Sequence, residues 1–159
     1  MGTTSAERVP RIATVDDADE IGRLLHDFNA ELETSTPGVA VLAARLRSIL
    51  ATADTFAILA GVPAVGVALV TVRTNVWFDG PVSLLDELYV APDHRSEGIG
   101  SAIIALVMST SLERGVDLIE INVDEGDVDA QRFYARHGFT STEPDSDERA
   151  VYFFRDLSS

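Results

Sequence analysis

The spacing of apolar residues along the chain switches between the helical and the strand period, and each switch predicts an element. Two helices are predicted in the first third of the chain, where apolar residues recur at i, i+3, i+4 and i+7. The first contains Ile21, Leu24, Leu25 and Phe28, and the second contains Leu42, Leu46, Ile49 and Leu50. Asp16 or Asp17 is placed to cap the first helix, and the turn-forming segment 31–38 separates the two.

Short apolar runs predict strands around these helices. The runs are 11–15, 55–60, 64–72, 84–90, 118–123 and 150–154. The second and third are joined by Gly61-Val62-Pro63, which favours a hairpin. The fourth ends before Pro92, because proline cannot donate to a strand ladder. We therefore expect a central strand over 84–90 with neighbours on both sides.

Two further helices follow the central strand. From Gly98 the helical spacing returns at Ile99, Ala102, Ile103, Leu106 and Val107. Residues 128–137 form the last predicted helix, and Gly138 is placed to end it. Strands outnumber helices and follow one another along the chain, so the class is α+β with a central, mostly antiparallel sheet.

Composition and charge limit the classes of function and ligand that fit this chain. A chain of 159 residues with 46% hydrophobic residues fits one domain, 1–159, in which we expect 1–9 to be a flexible tail. No run approaches the ~20 apolar residues of a membrane span, and the start lacks a signal peptide pattern, so we expect a cytoplasmic protein without a membrane partner. The net charge of −14 argues against nucleic acid and favours cationic ligands. Cysteine is absent, which excludes an acyl-cysteine intermediate and cysteine-ligated metal.

The joint between the central strand and the next helix carries the clearest candidate chemistry. It reads Arg95-Ser96-Glu97-Gly98-Ile99-Gly100. The first amides of a helix are unpaired and lie at its positive end, and glycine lets a phosphate approach them. Taken alone, the two glycines also fit an ordinary connection.

Two motifs in this region resemble those of one family. Arg95-x-x-Gly98-x-Gly100, after Leu-Tyr-Val-Ala-Pro-Asp-His and before Ser-Ala-Ile-Ile, resembles the acetyl-coenzyme A signature of the GCN5-related N-acetyltransferase (GNAT) superfamily. Downstream, the segment 127–139, Asp-Val-Asp-Ala-Gln-Arg-Phe-Tyr-Ala-Arg-His-Gly-Phe, resembles its second motif. The resemblance implies a three-layer α/β arrangement, in which about four helices flank a mixed, mostly antiparallel sheet. It also implies acetyl-coenzyme A as cosubstrate, with no metal.

The resemblance implies a set of residues that bind the cosubstrate. These are Leu88, Tyr89, Val90, Arg95, Ser96, Glu97, Gly98, Ile99, Gly100, Ser101, Asp127 and Tyr134. The Leu88 amide is expected to polarise the thioester carbonyl, and the Val90 backbone to pair with pantetheine. Asp127 stands where the motif usually has Asn. Because an ionised Asp only accepts hydrogen bonds, we expect it to cap the helix.

Three residues are candidates for proton transfer. Tyr134 occupies the position where the superfamily often has a tyrosine that protonates the departing thiolate; a core aromatic is the alternative. Asp86 and Glu87, alone or through water, are candidates for the base that deprotonates the amine, and solvated strand residues are the alternative. Neighbouring strand residues point to opposite faces, so both acids reach one site only if a bulge interrupts the strand. Such a bulge is typical of the superfamily.

The acceptor is predicted to be a small cationic amine. Glu31 and Glu33 lie in the loop that borders the acceptor site in the superfamily, so they join Asp86 and Glu87 as candidates for substrate binding. A solvated loop is the alternative for the first two. Direct transfer through a ternary complex is the expected reaction. Acetylation of a peptide or protein, and non-catalytic binding or sensing of acyl-coenzyme A, remain open alternatives, and the resemblance allows a homodimer.

Overall fold

The computed structural model describes residues 8–158, which group into two compact units, 8–121 and 122–158. Most of the predicted N-terminal tail, residues 1–7, lies outside the described residues. Arg8, near the end of the predicted tail, is fixed by an ion pair between its guanidinium and the Glu97 carboxylate. That the chain forms a single domain stays a prediction.

The first unit contains a five-stranded sheet. Its strands, in chain order and in spatial order, are β1 (Arg11–Ile12), β2 (Thr55–Ala60), β3 (Gly66–Arg73), β4 (Val82–Val90) and β5 (Leu118–Glu120). The first four pair antiparallel, and β5 runs parallel to β4. The parallel step is possible because a helix connects β4 to β5. The predicted mixed, mostly antiparallel sheet is confirmed.

Helices cover both faces of this sheet. They are α1 (Ala18–Glu31), α2 (Val39–Leu50) and α3 (Ile99–Glu113). Buried residues of α1 and α2 pack with Val67, Leu69 and Tyr89 of the sheet. Gly66 faces the other way, since a Cβ added there would lie 2.8 Å from the Ile103 side chain of α3. The α1–α2 face and the α3 face of the sheet are therefore distinct.

The start of α1 differs from the predicted cap. Asp17 is the N-cap residue, but its carboxylate makes no cap bond to α1. It accepts from the Thr14 amide at 2.8 Å and from both terminal nitrogens of Arg11, at 2.9 and 2.7 Å. This arrangement turns the chain at Val15, so β1 is shorter than the predicted strand 11–15.

Replacing Asp17 by Asn is expected to destabilise the protein by about 1 kcal/mol at neutral pH, the upper range for exposed ion pairs. The Arg11 guanidinium lowers the pKa of Asp17 to about 2. The contribution is therefore complete above the unfolded pKa of about 3.9 and is lost as pH falls through about 2. Denaturant unfolding of both proteins at pH 7 and pH 2 measures it. A difference that persisted at pH 2 would contradict the ion-pair origin.

The second unit contains α4 (Val128–Arg136). Its predicted cap is confirmed, because the Asp127 carboxylate accepts from the Ala130 amide at 3.0 Å. Gly138 has φ +87°, the left-handed conformation that ends a helix.

Two strand predictions need correction. The predicted strand 118–123 is paired only over Leu118–Glu120, and residues 150–154 form no strand at all. A run of β-prone side chains becomes a strand only when its backbone finds a partner. In the described part of the second unit, the pairing here consists of the bridge between Thr142 and Arg149 and two main-chain bonds, from the Ala150 amide to Ser141 and from the Glu143 amide to Glu148. The side chains 151–154 are consequently exposed. Among residues 8–158, no helix is long and apolar enough to cross a membrane.

Candidate active site

A bulge in β4 brings the two strand carboxylates to the same face. Leu69 of β3 pairs with Glu87, but its neighbour Val70 pairs with Leu85, so Asp86 is the extra residue. Paired residues share a face, which puts Glu87 on the α1–α2 face with Leu69. Thr71 shares that face by alternation, and its hydroxyl donates to Asp86 at 2.5 Å. The predicted bulge is confirmed.

The surroundings of these acids make both weaker than usual. Burial raises the pKa of Asp86, and hydrogen bonds with Thr71 oppose this in part. Burial also raises the pKa of Glu87, and the negative charge of Asp86 raises it further. A carboxylate with a raised pKa is a better proton acceptor than one with the ordinary pKa, which is the direction that a general base needs. That either acid is the base stays a prediction.

The edge of β4 beyond the bulge is open. Among the described residues, β5 pairs only with Val82, Ser83 and Leu84, which leaves Leu85–Val90 unpaired on that side. This is about 20 Å of strand. The Ala91 amide donates across to Val65 beside β3, so by alternation the main-chain groups of Leu88 and Val90 point to the open edge. The carbonyl of Val90 accepts there from Arg95 Nε at 2.9 Å.

The turn before α3 has the backbone expected of an anion cradle. Gly98 is the N-cap residue with φ +81°, and Ser96 also has positive φ, +64°. A Cβ added to Gly98 would meet no atom within 4 Å, so the space above it is open. The first amides of α3, from Ile99 onward, have no partner within the helix. This site therefore fits a pyrophosphate held by main-chain groups.

The predicted side-chain partners around this turn are engaged with protein groups. Both terminal nitrogens of Arg95 donate to the Glu31 carboxylate, each at 2.7 Å. Glu97 pairs with Arg8 and lies 3.5 Å from His94 Nδ1. Glu33 follows α1 with φ +55° and is exposed.

Tyr134 belongs to the second unit, as do the neighbouring rings of Phe133 and Phe139. It is buried, with 8% of its surface exposed, and its ring makes edge contacts with Phe133 and Phe139 at centroid distances of 5.2 and 5.5 Å. The aromatic packing fixes the ring. The proton-donor role of Tyr134 stays a prediction.

Sequence reasoning missed the partner of Asp86. Thr71 lies 15 positions away in the sequence and on another strand. The only signal was the hairpin that pairs β3 with β4. The bulge then shifts the register, and no sequence pattern fixes which threonine faces which acid.

Comparison with known proteins agrees with this architecture. A model of the acetyltransferase (GNAT) family matches residues 24–139. A solved structure from Arthrobacter sp. FB24, provisionally named an acetyltransferase, is 46% identical, covers 98% of this chain and 100% of its own, and has a TM-score of 0.89. No curated protein matches the sequence.

Structures of two more distant proteins share the fold. The aminoglycoside acetyltransferase meta-AAC0020, from an uncultured soil metagenomic sample and in complex with trehalose, is 22% identical with a TM-score of 0.77, over 96% of this chain and 98% of its own. A second structure of it contains sisomicin. Aminoglycoside N-acetyltransferase AAC(6')-Iy, in complex with CoA, is 19% identical with a TM-score of 0.76, over 93% of each chain.

The family match over 24–139 and the 46% identical structure define the class of the protein, and the mixed sheet agrees with it. The chain belongs to the acetyltransferase (GNAT) family and is an N-acetyltransferase. Enzymes of this family use acetyl-coenzyme A.

Proposed function

We propose that this enzyme transfers the acetyl group of acetyl-coenzyme A directly to the primary amine of a small cationic compound. The observation that carries the proposal is the pair of carboxylates, Asp86 and the half-buried Glu87, on one face of β4. An ammonium group is attracted to such a pair, and the same pair can then remove its proton. The net charge of −14 adds long-range attraction.

Glu87 is assigned as the base. Asp86 is tied to the Thr71 hydroxyl, whereas burial and then the negative charge of Asp86 raise the pKa of Glu87. Glu87, directly or through one water, takes a proton from the substrate ammonium. The amine nitrogen then attacks the thioester carbon, whose oxygen accepts from the Leu88 amide. The carbon–sulfur bond breaks as Tyr134 gives its proton to the departing thiolate. The nitrogen, which is positively charged after the attack, loses its second proton through water to the resulting tyrosinate, which leaves a neutral amide, and Glu87 releases the first proton to solvent.

The cosubstrate is assigned to the open edge of β4 and the turn before α3. Its pantetheine arm pairs with the Val90 backbone, and its pyrophosphate accepts from the amides of 96–101. Two observations support the pyrophosphate assignment: the turn occupies the position of the family's acetyl-coenzyme A signature, and the space above Gly98 is open.

The acceptor class is tested with an amine panel. Purified enzyme and acetyl-coenzyme A are combined with spermidine, sisomicin, an amino-acid amide, a lysine-containing peptide and a neutral alcohol, and thiol release is measured. We expect the two small polycations to have the highest kcat/KM. If the lysine-containing peptide had the highest kcat/KM, the result would favour acetylation of a peptide or protein. Binding of coenzyme A without turnover of any amine would favour a sensing module.

Salt dependence tests the charge argument. Exposed charges are screened over about 8 Å at physiological ionic strength, and over about 3 Å at 1 M. We therefore expect kcat/KM for the best cationic amine to fall as NaCl rises from 0.05 to 0.5 M, by roughly tenfold. The control is kcat, which reports the saturated enzyme and should change little. An unchanged kcat/KM would mean that the surface acidity has no role in capture.

Gly98→Val is expected to weaken acetyl-coenzyme A binding by at least about tenfold, because a branched side chain fills the space assigned to pyrophosphate. Calorimetry measures the affinity. The matched control is Gly115→Val at the other end of α3, where φ is +73° and an added Cβ also meets nothing within 4 Å. The control has a similar backbone penalty but should bind normally. Equal losses in both variants would assign the effect to strain.

A further inference from the structure

The Arg95 side chain points away from the phosphate turn in which its sequence position lies. Its Nε donates to the Val90 carbonyl, and its guanidinium carbon lies 5.8 Å from the centre of the Tyr89 ring. Tyr89 belongs to the cluster between the sheet and α1–α2. The guanidinium is therefore on the α1–α2 face, the face that carries Asp86 and Glu87, whereas α3 covers the opposite face.

The partner of Arg95 is the last residue of α1. Glu31 places a negative charge at a helix C-terminus, where the helix dipole is also negative, and the last turn of α1 contains no basic residue. Arg95 supplies the missing cation from the turn before α3, with both terminal nitrogens at 2.7 Å from the carboxylate. A two-pronged guanidinium–carboxylate pair fixes direction as well as distance.

This pair, defined by Glu31 and Arg95, lies beside the proposed acceptor site. Phe28, one turn before Glu31, contacts Tyr89 with ring centroids 5.0 Å apart. Tyr89 is two residues from Glu87 on the same face, which is about 7 Å along a strand. The end of α1 therefore lies near Tyr89, on the face of the sheet that carries the two carboxylates, and the loop 32–38 begins there.

We propose that Arg95 is a positioning residue, which through Glu31 fixes the end of α1 and the following loop over the acceptor site, while main-chain amides alone bind pyrophosphate. The inference rests on the proposed function of that same site. It gives Arg95 a role outside phosphate binding, and it gives Glu31 a role in shaping the acceptor site instead of contacting the amine.

The test compares Arg95→Gln, Glu31→Gln and the double variant with the wild type. The matched control is Arg47→Gln, which removes another exposed pair, Arg47–Asp19 at 2.8 Å, near the opposite end of α1. Three quantities are measured: the Kd of coenzyme A by calorimetry, amide hydrogen exchange over 28–38, and kcat and KM for the best amine of the panel.

We expect the KM of the amine to rise about tenfold in each single variant and no further in the double variant, since both substitutions break one interaction. The kcat and the Kd of coenzyme A should stay within about twofold, and exchange over 28–38 should quicken about tenfold. Arg95→Lys should have a KM between those of the wild type and Arg95→Gln, because lysine keeps the positive charge but cannot form the two-pronged pair with the carboxylate. The control should behave as the wild type.

Three results would overturn the proposal. A tenfold weaker Kd of coenzyme A in Arg95→Gln alone would make Arg95 a phosphate ligand. A raised KM in Glu31→Gln but not in Arg95→Gln would make Glu31 a direct substrate contact. Unchanged exchange and KM in all variants would leave the pair without a role. If the wild type acetylates no amine, the proposed function fails, but calorimetry and exchange still decide the positioning role.

Discussion

Replacing Tyr134 by Phe is expected to lower kcat by about 10²- to 10⁴-fold, the usual contribution of a general acid. The variant removes one hydroxyl and keeps the ring that packs against Phe133 and Phe139. Because the proton is needed mainly in the transition state, the KM for acetyl-coenzyme A should change little. Steady-state kinetics at saturating amine measure both constants.

Tyr152→Phe is the matched control, since it makes the same chemical change at a side chain that is 64% exposed. It should keep wild-type kcat. Thermal unfolding of both variants separates a catalytic loss from a packing loss. Full turnover in Tyr134→Phe would make Tyr134 a core aromatic residue and place the acid elsewhere.

Replacing Glu87 by Gln is expected to lower kcat/KM for the amine by a similar 10²- to 10⁴-fold, because the base is lost. The same variant should be more stable at pH 7, by on the order of 1 kcal/mol. Burial and Asp86 raise the pKa of Glu87, so ionising it costs stability in the folded state. The advantage of Gln is therefore absent below the unfolded pKa of about 4.3, grows as pH rises above that value and is complete above the raised folded pKa.

Two further variants complete this experiment. Glu113→Gln makes the same change of charge at the end of α3 and should leave kcat/KM unchanged. Asp86→Asn removes the neighbouring negative charge, which lowers the pKa of Glu87, so the acid limb of the kcat/KM profile should move to lower pH. A loss in Asp86→Asn as large as that in Glu87→Gln, with no shift of the limb, would make Asp86 the base.

Local sequence patterns were sufficient where structure depends on neighbours in the chain. The helical spacing of Ile21, Leu24 and Phe28 predicted α1, and Asp127 was identified as the cap of α4. The signature around Gly98 predicted the N-terminus of α3. In each case the determining contacts span only a few residues, so the pattern contains the information.

Pairing between distant segments limited the prediction elsewhere. Residues 150–154 have the composition of a strand, yet their backbone has no strand partner within the second unit. The carboxylate partner of Arg95 lies 64 positions away on α1, and no local pattern identified it. Strand pairing and ion pairs between elements depend on which segments the fold brings together, which is not written in either segment alone.

The sequence by itself determined the class of this protein, the order of its main elements and the residue types at its site. The tertiary structure decided how those residues act. The register shift at Asp86 put two carboxylates on one face. The short β5 left an edge of β4 open, and Glu31 at the end of α1 forms an ion pair with Arg95 of the phosphate signature. The physical reason is that register, open edges and ion pairs arise between elements, whereas periodicity, capping and turn chemistry arise within them.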